Sequence, residues 1–114
     1  MKKIIMLMFV LFLGFQMQAQ EKKNKNAKHT IEVNGNCGMC KKRIEKAARS
    51  VHGVKVAVWH QDHHDVHLTI DETKCSLDDV HQAIAKAGHD TDKVKADDAV
   101  YEKLHACCLY ERKE

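Results

Sequence analysis

Proline is absent from all 114 residues. That argues against architectures that build a dithiol active site beside a cis-proline, as the thioredoxin type does. Charge of one sign is missing too. Nineteen basic and sixteen acidic residues leave a formal +3, and removal of Lys2 and Lys3 with a leader would leave about +1 (3 − 2). Such a balance gives no electrostatic reason to expect a nucleic-acid partner. The long apolar run of a membrane span is lacking: Ile4 to Phe15 is only twelve residues, short of the roughly 20 a spanning helix needs. No Ser/His/Asp constellation, phosphate loop or convincing carboxylate pair is present. Hydrolytic and phosphoryl chemistry are therefore not indicated, and the expectation is a non-enzyme.

What is present begins with a leader. Lys2 and Lys3 precede the apolar run, and Gln16-Met17-Gln18-Ala19 ends it with a small residue at a cleavage position. Residues 1–19 read as a secretory signal peptide. No cysteine stands at the cleavage point, so a lipid anchor is not supported. The expected location is periplasmic or secreted, an oxidising compartment. Residues 20–27 are rich in Lys, Asn, Gln and Glu and read as a disordered leader.

The chemistry concentrates in Asn36-Cys37-Gly38-Met39-Cys40. Two cysteines, with two residues between them, stand where a loop becomes a helix. The helix N-terminus favours thiolate over thiol. A thiolate pair is a soft, two-coordinate ligand set that selects ions such as Cu(I). The same spacing also serves redox sites and half zinc knuckles, so the motif alone leaves these open.

Around it, element signals follow in order. Ile31 and Val33 alternate with Thr30 and Glu32, giving a strand. Ile44, Ala47, Ala48 and Val51 recur at i, i+3, i+4 and i+7, the apolar face of a helix. Lys41, Lys42, Glu45, Lys46 and Arg49 form its solvated face, where an acidic partner could also dock. Gly53 closes the helix. Val54, Val56 and Val58 read as the inward residues of a second strand, a polar turn spans His60 to His64, and Val66, Leu68 and Ile70 mark a third. Ser76 with Asp79 caps a second helix carrying Leu77, Val80, Ile84 and Ala87. His89 to Lys95 reads as a fourth strand with Val94 inward, and Val100, Leu104 and Cys108 as the stripe of a third helix. The order β-α-β-β-α-β predicts an α+β ferredoxin-like sandwich: a four-stranded antiparallel sheet with two helices on one face, plus a C-terminal helical extension.

This order, with C-x-x-C on the first βα loop, resembles the heavy-metal-associated domain. Val51-His52-Gly53-Val54 is similar to that family's V-x-G-V, and Ala87-Gly88-His89 to its A-G-aromatic. The resemblance covers residues 28–95, leaving 96–114 as an extension with vicinal cysteines. It implies Cys37 and Cys40 as metal ligands. The family includes copper chaperones, modules of copper-transporting ATPases and the periplasmic mercury-binding protein. One departure stands out: the family usually has Met two residues before the first Cys, and here that residue is Gly35, with Met39 between the cysteines.

Further ligands are sought at the same end of the sandwich. His89 is a candidate third ligand or proton-sensitive neighbour of the metal loop. The hairpin histidines His60, His63 and His64 read as surface polar residues or a low-affinity site for a borderline ion. His67 should point to the open face. Cys75 reads as a small buried hydrophobe at the opposite end. A helix from Asp98 to Cys107 would climb roughly 15 Å and return the tail to the metal end. At most one tail thiol, Cys108 rather than Cys107, is expected to reach the site. An alternative has the tail packing Val100, Leu104 and Leu109 on the open face near Trp59.

The functional expectation is a monomer, or a metal-bridged dimer, that carries or sequesters Cu(I) by thiolate ligand exchange. A metal-transporting ATPase or another cysteine-bearing acceptor is the expected partner. The alternatives are Zn(II) or Hg(II) binding through the tail cysteines, and thiol–disulfide exchange.

Overall fold

The computed structural model describes residues 23–112. The leader at residues 1–19 lies outside them. The elements are β1 (Ala27–Glu32), α1 (Gly38–Arg49), β2 (Val54–His60), β3 (Asp65–Ile70), α2 (Leu77–Lys86) and α3 (Asp98–Glu102), followed by a 3-10 turn at Ala106–Cys108. The sheet is antiparallel in the order β1-β3-β2. Directly paired residues share a face. Ile31, Val66 and Trp59 form one inward row, and His29, Leu68 and Ala57 the next. Against these rows lie Cys40, Ile44 and Ala48 of α1 and Val80 and Ile84 of α2, all buried. No helix among the described residues is long and apolar enough to cross a membrane.

Both main helices have physical boundaries. Ser76 Oγ accepts the Asp79 amide at 3.2 Å while an Asp79 carboxylate oxygen accepts the Ser76 amide at 3.0 Å, a complete capping box for α2. Such caps contribute about 1 kcal/mol each. Gly88, just beyond α2, has φ +104°, a conformation that other residues adopt only with strain. A Cβ there would also meet a Leu104 methyl at 2.9 Å, so the tail is packed where only glycine fits.

The second strand faces the other way from its pattern. Val54 pairs with Ile70, but Val56 pairs with Thr69 and Ala57 with Leu68, a one-residue shift at Lys55. A bulge of this kind inverts every later side chain. Val56 and Val58 are 47% and 38% exposed, whereas Trp59 is buried. The exchange puts Ala57 and Trp59 inward in place of Val56 and Val58, and an indole alone buries about 150–250 Å². Its indole N–H also donates to the Val33 carbonyl at 3.0 Å.

The expected fourth strand is reduced to a single bridge, Val33 with Thr91. The Asn34 amide donates to the Asp90 carbonyl and the Asp92 amide to the Glu32 carbonyl, so the chain does begin to pair beside β1. It stops because the Thr91 hydroxyl accepts the Lys93 and Val94 amides at 3.2 and 3.0 Å, curling the backbone into a turn. Val94 is consequently only half-buried.

Two other boundaries move. The strand takes in Ala27, and Asn24 donates its amide to the Glu72 carboxylate and accepts the Glu72 amide on its carbonyl. The tail is not one helix: α3 ends at Glu102 and a separate 3-10 turn carries the cysteines. The turn packs against α1, not on the open face, and Leu109 is exposed.

Candidate metal centre

The site begins at the N-terminus of α1. Cys37 is its N-cap residue, extended at φ −138° and ψ 176°, with its carbonyl accepting the Lys41 amide and its thiol left free of capping. The Sγ atom is therefore available to other sulfurs. Cys40, one turn along, points into the core and is fully buried. The two sulfurs are 3.6 Å apart. Beneath them Gly35 is pressed against Trp59: a Cβ there would sit 3.0 Å from the Cys40 Cβ and 3.1 Å from the indole. Any side chain there, including the methionine usual at this position in the resembled family, would require Trp59 or Cys40 to give way by a few tenths of an ångström. Lys41 and Glu45 fix the helix to the strand. Glu45 accepts the Trp59 amide at 3.0 Å and Lys41 donates to the Trp59 carbonyl at 3.0 Å.

The tail completes the cluster. Cys108 Sγ lies 3.4 Å from Cys37 Sγ, and Cys37, Cys40 and Cys108 hold their sulfurs within 4.8 Å of one another. Cys107 also arrives, with its Sγ 2.9 Å from Cys37. The expectation that at most one tail thiol approaches is thus corrected. In the 3-10 turn the adjacent side chains diverge, Cys108 going inward to full burial and Cys107 staying exposed, and both reach Cys37.

The thiols differ electrostatically. The hydrogen bond from Cys107 pulls the Cys37 thiol down from 9.0 to about 6, with smaller help from the Cys40 amide and the Cys108 and Cys40 thiols, against the upward push of burial. In the neutral pair the Cys37 thiol donates to Cys107. Once Cys37 ionises, Cys107 is the donor, and its own pKa rises for that reason. Burial pushes the Cys108 thiol strongly up. One thiolate at neutral pH, backed by the buried Cys108 thiol that ionises when a cation arrives, is a set suited to a soft ion.

Histidine contributes less than expected. His89 is fully buried, but its Nδ1 is committed to the Asn34 carbonyl at 2.8 Å and its ring stacks on Tyr110 at 5.5 Å. It is not in the sulfur cluster. Burial pulls its pKa down. His60 meets His67 edge-on at 4.5 Å on the open face, and His64 stacks on Trp59 at 6.2 Å. Among the described residues, neither these nor His63 join a second group of three metal ligands. Cys75 is buried apart from the cluster, its thiol near the Asp71 carbonyl, as read from the sequence.

Sequence reasoning missed the clamp that holds the tail. The Arg112 guanidinium grips Asp90 with Nε at 2.9 Å and Nη2 at 2.8 Å, and Nη2 also donates to the Ala96 carbonyl at 2.6 Å. The Tyr110 hydroxyl accepts the Asp90 amide and donates to the Gly88 carbonyl, both at 2.8 Å. These bonds join 88–90 to 110–112 and leave Cys107 and Cys108 over the metal loop. A lone Tyr-x-Arg near a terminus carries no periodic signal, so only the spatial pairing reveals it.

No family model matches the chain, and no curated protein matches it. Solved structures do. A Bacillus anthracis protein named as a candidate copper-ion-binding protein is 30% identical, with a TM-score of 0.54, covering 59% of this chain and 99% of that one. The N-terminal domain of a potential copper-translocating P-type ATPase from Bacillus subtilis, in its Cu(I)-loaded state, is 25% identical with a TM-score of 0.55, covering 58% and 84%. Oxidized MerP from Ralstonia metallidurans CH34 is 25% identical with a TM-score of 0.51, covering 58% and 96%. Together with the C-x-x-C placed on the first βα loop, these likenesses define the class: an α+β metal-binding domain with its ligands at one end. The chain belongs to the heavy-metal-associated domain family.

Proposed function

We propose that this protein is a periplasmic or secreted carrier of a thiophilic ion, most readily Cu(I), held by Cys37, Cys40 and Cys108. The observation that carries the reading is the convergence of three sulfurs at one end of the fold. An ion about 2.3 Å from three thiolates in a plane requires sulfurs about 4.0 Å apart, and a linear two-thiolate site about 4.6 Å. The separations of 3.6 and 3.4 Å from Cys37 lie nearer the trigonal value. Thiolate donors favour Cu(I) over harder ions. Copper is named in two of the similar structures. Zinc would need a fourth donor, and the nearest sulfur for that place is the exposed Cys107, 2.9 Å from Cys37 Sγ.

Function then follows by ligand exchange and not by catalysis. A three-coordinate ion accepts an incoming thiolate and releases another without becoming free. A metal-transporting ATPase or another cysteine-bearing protein would be the acceptor, and the exposed Lys42 near the site, with Lys46 and Arg49 further along α1, would steer an acidic one. Anaerobic competition against a Cu(I) chelator tests the reading. Cys37→Ser and Cys40→Ser should each lower affinity by at least about a hundredfold, near 2.7 kcal/mol, and Cys75→Ser should leave it unchanged. Parent affinity in both single variants would move the site elsewhere. The depressed Cys37 pKa also suits thiol–disulfide exchange. Insulin reduction faster than that by a free dithiol would favour this second reading.

A further inference from the structure

We propose that Met39 and Cys107 form an outer soft-donor site through which Cu(I) enters and leaves the Cys37/Cys40/Cys108 site. This rests on the proposed function and adds to it the route of transfer.

Accessibility makes such a route necessary. Cys40 and Cys108 have no exposed surface, so a partner thiolate cannot attack an ion there from solvent. Cys37 is only half-buried, but its outer side is occupied by Cys107. The exposed sulfurs of the end are Cys107 and Met39, and they touch one another. Met39 is 46% exposed, and its Sδ lies 3.7 Å from Cys107 Sγ. Met39 stands in the first turn of α1 between the two loop cysteines. An exposed methionine contributes nothing to the core there, but a thioether is a neutral, polarizable ligand for a soft monovalent ion.

The sulfurs form a continuous series from solvent inward. Met39 to Cys107 is 3.7 Å, Cys107 to Cys37 is 2.9 Å, and Cys37 to Cys40 and Cys108 are 3.6 and 3.4 Å. An ion bonded to two sulfurs at about 2.3 Å spans separations up to about 4.6 Å, so every step is within bridging reach. Exposure falls along the same order. The ion can therefore keep two sulfur bonds throughout its passage.

The exchange balances without any redox change. A Cu–S bond to Cys107 forms as one bond to the donor's thiolate breaks, and the proton from the Cys107 thiol passes to that departing thiolate. Met39 adds its lone pair with no proton change. A bond to Cys37 then replaces the donor's second thiolate. Bonds to Cys40 and Cys108 replace those to Met39 and Cys107, their protons returning to Cys107 and to solvent. Copper remains Cu(I), and delivery reverses the sequence.

Stopped-flow transfer of Cu(I) between a chromophoric chelator and the full-length mature protein tests this. Met39→Leu and Cys107→Ser should each slow loading and unloading, and the double variant should slow both by about tenfold or more while the affinity, compared at about pH 10 where Cys37 is ionised with or without Cys107, changes less than about threefold. Parent rates in the double variant overturn the proposal. So does slowing in only one single variant, which removes the two-donor site, or a fall in affinity that matches the fall in loading rate, which makes Cys107 an inner ligand. Failure of the three-sulfur reading is separately visible, as unchanged affinity in Cys37→Ser and Cys40→Ser measured alongside.

Discussion

Around Cys37, sulfurs from Cys107, Cys108 and Cys40 lie at 2.9, 3.4 and 3.6 Å. The Cys37 and Cys40 positions were legible from their spacing, because a C-x-x-C at a helix start fixes one turn between the thiols. Cys108 and Cys107 were legible only as candidates returning to the metal end, and their joint arrival at Cys37 was not, since the divergence of adjacent side chains depends on a 3-10 turn. The consequence of the Cys107 contact is chemical. With its pKa drawn down to about 6, apo Cys37 should be alkylated by iodoacetamide with a rate that rises through a midpoint near pH 6, since the thiolate is the reactive form. In Cys107→Ala the largest lowering cause is gone, and the midpoint should move up toward the ordinary 9.0. An identical midpoint in that variant would show that Cys107 does not tune Cys37.

The elements show where pattern reading stops. The strands at residues 27–32 and 65–70 and both main helices follow their periodicity, because each buries one face and nothing local competes. In Val54–His60 the bulge at Lys55 reversed the faces, a choice made by the size of Trp59 and invisible to alternation counting. At 89–95 the Thr91 hydroxyl took the amides a strand would have paired. The tail is held by polar pairing, and that makes it sensitive to acid. Burial would raise the Asp90 pKa, but the Arg112 fork, the Ala96 amide and the charges of Arg112 and Lys95 outweigh it and hold the carboxyl below its usual value. A depressed carboxylate stabilises the fold above its unfolded pKa of about 3.9 and loses that contribution as pH falls below it through the folded value. Thermal melts should therefore fall off below about pH 4, and less steeply in Asp90→Asn. Arg112→Ala leaves Asp90 without its partner and should cost about 1–3 kcal/mol at neutral pH. A melt unchanged by Arg112→Ala would show that the tail is held by Leu104, Cys108 and Tyr110 burial alone.

For the whole molecule, the family fold supplies a dithiol at one end and the extension brings Cys108 and Cys107 to it. Leu104, Cys108 and Tyr110 belong to the same core as Ile44 and Trp59, so the tail is part of the domain and not an appendage. Truncation after Lys95 should lower both stability and Cu(I) affinity, the latter by about tenfold or more through loss of one thiolate. Coordination number separates a three-thiolate site from a two-thiolate one, and the sulfur scattering shell around the bound ion reports it directly. X-ray absorption of the singly Cu(I)-loaded full-length protein should show three sulfurs near 2.3 Å, falling to two in Cys108→Ser. Two sulfurs in the parent protein, unchanged by Cys108→Ser, would contradict the three-thiolate site.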